Sequence, residues 1–168
     1  MDYLKIPRVI PKVVDEVFSQ LLTEYRKVSP LTVILGRVHD YLGMRMYYGT
    51  KSKVRITMPK HIEVVLEAAT EDMDNAAKTP ETNHVFQVQE DGGMLASLQA
   101  DLFRNLVAKI LFVSFQSRPG LKTALSFFTM QVRNPDQDDY KKLALAIRYT
   151  RGTQGTELTL EAESMYFI

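Results

Sequence analysis

The stretch LASLQADLFRNLVAKILFVSFQ, residues 95–116, carries the strongest helical pattern in the chain. Its apolar residues recur at spacings of three and four, which is the period of one face of an α-helix. That stripe, with its flanking apolar neighbours, consists of Leu95, Leu98, Leu102, Leu106, Ile110 and Val113, beside Phe103, Val107 and Leu111. Arg118-Pro119-Gly120 interrupts the pattern, because proline excludes the helical conformation in the residue before it. The stretch therefore predicts a long helix with one side facing a core.

Four further helices are predicted, two before this stretch and two after it. They cover Pro11–Val28, which Ser29-Pro30 ends, Pro59 to about Ala69, Leu121–Arg133, and a last helix that ends near Gly152. In the last helix we expect Asn134 to be the N-cap and Pro135 the first helical residue. The carboxylates of Asp136, Asp138 and Asp139 then suit the positive end of the helix dipole.

Alternating apolar and polar residues predict strands between the first two of these helices and after the last one. Leu31–Thr57 is extended in character, and Tyr41–Tyr48 and Lys53–Thr57 form a β-hairpin across Gly49-Thr50-Lys51-Ser52, with one apolar and one mixed, basic face. Glu157–Ala162 and Met165–Ile168 are predicted to be short strands. Residues 70–93 are polar and acidic, and predict a long loop with a brief strand at Val85–Val88. The fold class is therefore α+β, a small antiparallel hairpin sheet packed with a helical bundle.

The charge order is more informative than the composition. The 168 residues carry a net charge of only +1, but residues 33–61 sum to +5, residues 62–101 to −8 and residues 102–151 to +6. Two basic blocks of this size can form a surface that binds a polyanion, although solvated helix faces balanced by the acidic stretch give the same order. The low net charge excludes a uniformly basic nucleic-acid-binding protein.

Other function classes are excluded by what the sequence lacks. There is no cysteine, so there are no disulfides, thiolate zinc ligands or thiol nucleophiles. No apolar run approaches the roughly 18 residues of a membrane span, and the charged residues within 1–10 argue against a secretory signal. We therefore expect an intracellular protein, cytoplasmic or nuclear, without membrane contact.

The sequence also lacks the common catalytic and metal-binding motifs. It contains no phosphate-binding glycine loop and no nucleophile elbow. His39, His61 and His84 are too far apart for a His-x-x-x-His zinc motif. Asp138 and Asp139 are adjacent on a predicted helix, so their side chains point in different directions. We expect no metal site and no cofactor in this chain.

Five segments in register nevertheless resemble the reverse transcriptase of copia-type retrotransposon polyproteins. Met1-Asp2-Tyr3-Leu4 resembles that family's Val-Asp-Asp-Leu catalytic turn, and His39–Met44 resembles its Tyr/Phe-Leu-Gly motif, which forms the primer-grip hairpin. Val54–Met58 and the following helix match the next segment. Further on, Arg104–Leu111 with Arg118-Pro119-Gly120-Leu121 is similar to the thumb helices and their Arg-Pro-Asp-Ile step. Arg148–Thr153 is similar to the Arg-Tyr-Leu-Arg/Lys-Gly-Thr signature that precedes RNase H.

The resemblance implies a domain organisation and a partner. Residues 1–58 would be the end of a palm with a primer-grip-like hairpin, residues 59–152 a thumb-like helical region with the acidic loop 70–93, and residues 153–168 the start of a connection towards RNase H. The partner would be an RNA–DNA or DNA duplex primer–template. The residues expected to contact it are Tyr41, Gly43, Lys51, Lys53, Arg55, Arg104, Lys109, Arg118 and Lys122.

The resemblance also implies that this chain is catalytically inactive alone. Asp2 matches the first carboxylate of the catalytic turn, but Tyr3 stands in the position of the second. A phenol with a pKa of about 10 does not replace a carboxylate as a ligand for a hard cation. Mg²⁺ is therefore expected only in a complete polymerase, which also includes the upstream palm and fingers and the downstream RNase H domain. The alternatives are a non-enzymatic protein-interaction module and a decayed element without nucleic-acid binding.

Overall fold

The computed structural model describes residues 11–26, 28, 34, 36–49, 53–89 and 92–161. Within these ranges the chain has five α-helices and one four-stranded antiparallel sheet, so the predicted α+β class is confirmed. The helices are α1 (Pro11–Tyr25), α2 (Pro59–Glu67), α3 (Ser97–Gln116), α4 (Lys122–Gln131) and α5 (Gln137–Gly152). The strands are β1 (Val38–Tyr41), β2 (Met44–Tyr48), β3 (Lys53–Thr57) and β4 (Leu158–Glu161).

Helix α3 is the centre of the core. Its buried side includes Phe103, Leu106, Ile110 and Val113, and these pack in one cluster with apolar residues of α2, α4 and α5. The stripe predicted from the sequence is wrong at Leu98, which is 85% exposed. The helix begins at Ser97, so Leu98 lies in its first turn, where Ala100 is the residue buried in the core.

Helix α5 begins two residues later than predicted. Asp136, not Asn134, is the N-cap, and its carboxylate accepts a hydrogen bond from the Asp139 N–H. The Asp139 carboxylate in turn accepts from the Asp136 N–H at 3.1 Å, which completes a capping box. Burial raises the pKa of the Asp139 carboxyl group. At the other end the helix ends at Gly152, as predicted, and Thr153 is the C-cap.

The sheet has one more strand before the predicted hairpin than expected. A turn at Leu42 and Gly43 divides the first predicted arm, so that Tyr41 pairs with Met44 and β1 lies antiparallel to β2. Strand β3 pairs with β2, as the sequence predicts, and β4 adds antiparallel to β3. The sheet order is β1-β2-β3-β4, so the last described strand joins the same sheet as the hairpin strands that precede α2. The strand predicted at Met165–Ile168 and the helix end at Ser29-Pro30 lie outside the described residues.

The acidic loop 70–93 is held against α5 by basic side chains. Arg148 donates hydrogen bonds to the carbonyl oxygen of Asp72, and Arg151 forms an ion pair with Asp74 at 2.8 Å. The strand predicted at Val85–Val88 is wrong, because Val85 lies in a turn in which its N–H bonds to the Thr82 carbonyl. Its side chain is buried in the core, which explains the apolar signal in the sequence without a strand.

The remaining differences are at helix ends. Helix α1 ends at Tyr25 instead of Val28, α2 at Glu67 instead of Ala69, and α4 at Gln131 instead of Arg133. In the part of the chain that the structure describes, none of the helices combines the length and the apolar composition needed to cross a bilayer.

Candidate nucleic-acid interface

The turn between β1 and β2 has an unusual backbone. Leu42 and Gly43 are its two central residues, with φ angles of 48° and 77°. Two-residue hairpin turns with positive φ at both positions usually contain Asn, Asp or Gly, because a positive φ brings the Cβ of other residues too close to the backbone. Leu42 is 54% exposed, so burial of its side chain does not account for its place there. Backbone strain at an exposed position is a feature of binding sites.

Gly43 is required by close packing as well as by its φ angle. A Cβ at this position would overlap the imidazole ring of His61 on α2. The same imidazole packs against Phe112 on α3, with ring centroids 5.1 Å apart. His61 therefore joins the β1–β2 turn to the outer side of α3.

The outer side of α3 continues that surface with aromatic and basic groups. Phe112 is 40% and Phe115 is 62% exposed, and the Lys122 ammonium lies 5.1 Å from the centroid of the Phe115 ring. Lys109 lies three residues before Phe112, on a neighbouring position of the helix surface. We call the set Lys109, Phe112, Phe115 and Lys122 the α3–α4 surface. Within the described ranges, no carboxylate lies within 4.0 Å of either lysine ammonium.

The basic residues of the hairpin are paired with glutamates of the C-terminal strand region. Lys53 forms an ion pair with Glu161 at 3.0 Å, and Arg55 forms one with Glu157 at 2.9 Å. The Arg55 guanidinium also lies over the Tyr47 ring, 5.3 Å from its centroid. All four charged side chains stay partly exposed, so a phosphate that displaced the glutamates would have to overcome this pairing.

Arg104 and Arg118 have structural partners. Arg104 pairs with Asp101 and donates to the carbonyl oxygen of Val132, just beyond the end of α4. Arg118 is only 6% exposed and donates to the carbonyl oxygens of Thr153 and Gln154, the latter at 3.0 Å. Burial lowers the pKa of the Arg118 guanidinium. Both residues thus hold the ends of helices in place.

The other predicted contact residues differ in position. Tyr41 is half-buried at the end of β1, beside the Leu42–Gly43 turn. The carboxylate of Asp40 pairs with Arg45 across that hairpin, and this hydrogen bond lowers the pKa of the Asp40 carboxyl group. Lys51 and Asp2, which was predicted to be a remnant of a catalytic turn, lie outside the described residues. No group of three or more histidine and carboxylate side chains suited to a metal ion occurs in the described part of the chain.

Sequence reasoning missed Phe112 and Phe115 as members of the α3–α4 surface, and it missed His61 as the residue that joins this surface to the β1–β2 turn. One signal was present for the two phenylalanines, because both fall off the stripe that runs through Leu106, Ile110 and Val113. The position of His61 depends on contacts with segments about 20 and 50 residues away, which periodicity does not report. In comparisons with protein-family models, curated proteins and solved structures, no match to this chain was found.

Proposed function

We propose that this chain is the end of the palm and the thumb of a copia-type RNA-directed DNA polymerase, and that it contacts a primer–template duplex without catalytic activity of its own. The observation that carries the proposal is the strained turn at Leu42 and Gly43. The resemblance implies a primer-grip hairpin at this motif, and the turn lies against His61, which also contacts α3.

The chemistry of the α3–α4 surface supports duplex binding. Lys109 and Lys122 carry charges that no described carboxylate neutralises, so phosphates can bind without breaking an ion pair. Binding of this kind is independent of base sequence and falls steeply with salt, because each neutralised phosphate releases condensed counterions. On this proposal the partner is an RNA–DNA or DNA duplex, encountered in the cytoplasm or nucleus.

The proposed organisation keeps the three segments named from the resemblance. The first and last of these segments contribute β3 and β4, which pair in one sheet, and residues 59–152 contribute α2 to α5. Polymerisation would need the upstream palm and fingers, since Tyr3 replaces one catalytic carboxylate. Mg²⁺ would be held by that complete site, and the RNase H domain would follow β4.

Fluorescence anisotropy of a labelled RNA–DNA hybrid duplex tests the proposal directly. We expect binding at low salt that weakens steeply as salt is added. In the double variant Lys109→Ala with Lys122→Ala, the affinity should fall about tenfold at moderate salt, and the slope of log K against log salt should decrease by about 2. Both lysines are partly or fully exposed, so the variant should stay folded.

The matched control removes two positive charges elsewhere. Lys12 on α1 and Lys141 on α5 are exposed, and Lys12→Ala with Lys141→Ala should leave the salt slope unchanged. Absence of duplex binding at low salt, from protein with a normal circular dichroism spectrum, would refute the proposal. Equal losses in both double variants would show non-specific attraction without a defined surface.

The ion pairs on β3 predict a gain of binding. Replacing both Glu157 and Glu161 by glutamine frees Lys53 and Arg55, so duplex affinity should rise by about tenfold and the salt slope should steepen by about 2. Stability should change by less than about 1 kcal/mol, because the pairs are exposed. The control Glu16→Gln with Glu24→Gln on α1 changes net charge equally. If both variants gain equally, the hairpin cations take no part in binding.

A further inference from the structure

Two phenylalanine side chains on α3 are exposed and lie outside the hydrophobic core. Phe112 and Phe115 are 40% and 62% exposed, whereas Leu106, Ile110 and Val113 of the same helix are fully buried. Residues three apart are neighbours on a helix surface, so the two rings form one aromatic strip. Aromatic side chains gain more from burial than almost any other residue, and a strip of them at the surface indicates a ligand.

The charges around the strip indicate what kind of ligand. The Lys122 ammonium lies 5.1 Å from the centroid of Phe115, and Lys109 lies on the helix position next to Phe112. In the described residues no carboxylate pairs with either lysine. Lysine is depleted in protein–protein interfaces. Aromatic rings interleaved with unpaired cations are instead the composition of surfaces that bind single-stranded nucleic acid.

We propose that Phe112 and Phe115 stack with the bases of unpaired nucleotides while Lys109 and Lys122 bind the flanking phosphates. The inference rests on the proposed function and adds single-stranded nucleic acid as a second class of ligand for the α3–α4 surface. Unpaired nucleotides are required because bases within a duplex are already stacked on each other and leave no face for a protein ring. Lys122 covers one face of Phe115, and the 62% exposure of that residue leaves room for a base at the ring.

The experiment compares two labelled probes with equal charge. One is an oligothymidylate of about 12 nucleotides, which suits typical single-strand site sizes, and the other is an abasic oligonucleotide of the same length. By anisotropy at low salt, the wild-type chain should bind the oligothymidylate about tenfold more tightly or better. Phe112→Leu with Phe115→Leu should abolish this preference and leave the abasic affinity unchanged, whereas Phe112→Tyr with Phe115→Tyr should retain it.

The possible outcomes distinguish a failure of the stacking inference from a failure of the proposed function. Equal wild-type affinity for the two probes, or an unchanged preference in the leucine variant, overturns the stacking inference. A blunt-ended hybrid duplex titrated in parallel reports on the proposed function alone, so duplex binding without base preference refutes only the inference. A concentration-dependent dimer in sedimentation that disappears in the leucine variant would also overturn it, because the strip would then be a contact between copies of this chain.

Discussion

Replacing Arg118 by alanine is expected to lower the free energy of unfolding by about 3 kcal/mol, since hydrogen bonds to charged groups contribute about 1.5–3 kcal/mol each. The guanidinium donates to the carbonyl oxygens of Thr153 and Gln154, which follow the end of α5. Positive charge is also favourable at that end of a helix. Because Arg118 is only 6% exposed, water does not readily replace its hydrogen bonds to these carbonyl oxygens in the alanine variant. Chemical denaturation followed by circular dichroism measures the loss.

Two variants show whether the loss comes from these hydrogen bonds. Arg118→Lys keeps the charge but not the planar fork of donors, so it should recover only part of the stability. Arg133→Ala removes an exposed arginine side chain near the end of α4 and should change stability by less than about 0.5 kcal/mol. If Arg118→Ala unfolds like the wild-type chain but binds duplex more weakly, Arg118 is a contact residue and its structural role is refuted.

Asp138→Asn is expected to lower the free energy of unfolding by about 3 kcal/mol, which is the second large effect. Lys142 has a side chain that is only 3% exposed, and its ammonium lies 2.7 Å from the Asp138 carboxylate. It also donates to the Gln87 carbonyl oxygen and lies 5.0 Å from the Phe127 ring centroid. Removing one partner of a buried ion pair leaves a charge that neither water nor a counterion neutralises. Denaturant unfolding of the variant measures the cost.

A double variant separates the lost pair from a general change in packing. Asp138→Asn with Lys142→Met replaces the buried charge by an apolar group of similar length, and should recover part of the loss. The exposed pair of Asp101 with Arg104 provides the control, because Asp101→Asn should cost less than about 1 kcal/mol. Equal costs for Asp138→Asn and Asp101→Asn would contradict the prediction.

Much of the fold follows from local patterns in the sequence. Periodicity located all five described helices to within a few residues, because an amphipathic helix repeats its apolar residues regardless of what covers them. It misplaced Leu98, whose spacing matches the stripe although Ala100 is the residue of the first turn of α3 that is buried in the core. The preferences for N-cap residues favoured Asn134 as the cap of α5, whereas Asp136 has the carboxylate that completes a capping box with Asp139.

The candidate site was less predictable than the fold. Charge order located the two basic blocks, but it does not tell which cations are already neutralised. Lys53 and Arg55 are paired by Glu161 and Glu157, and Arg118 is buried. In the sequence, these three cations cannot be told apart from Lys109 and Lys122, which have no carboxylate partner among the described residues.

The sequence by itself determined the α+β class, the long helix α3 and the segments that carry the resemblance. Local spacing encodes these features, since each depends on residues a few positions apart. Only the tertiary structure decided that Glu157 and Glu161 pair with the cations of β3, and that His61 joins the turn at Leu42 and Gly43 to α3. Arg55 and Glu157 are 102 positions apart, and no local pattern specifies a contact between residues at that separation.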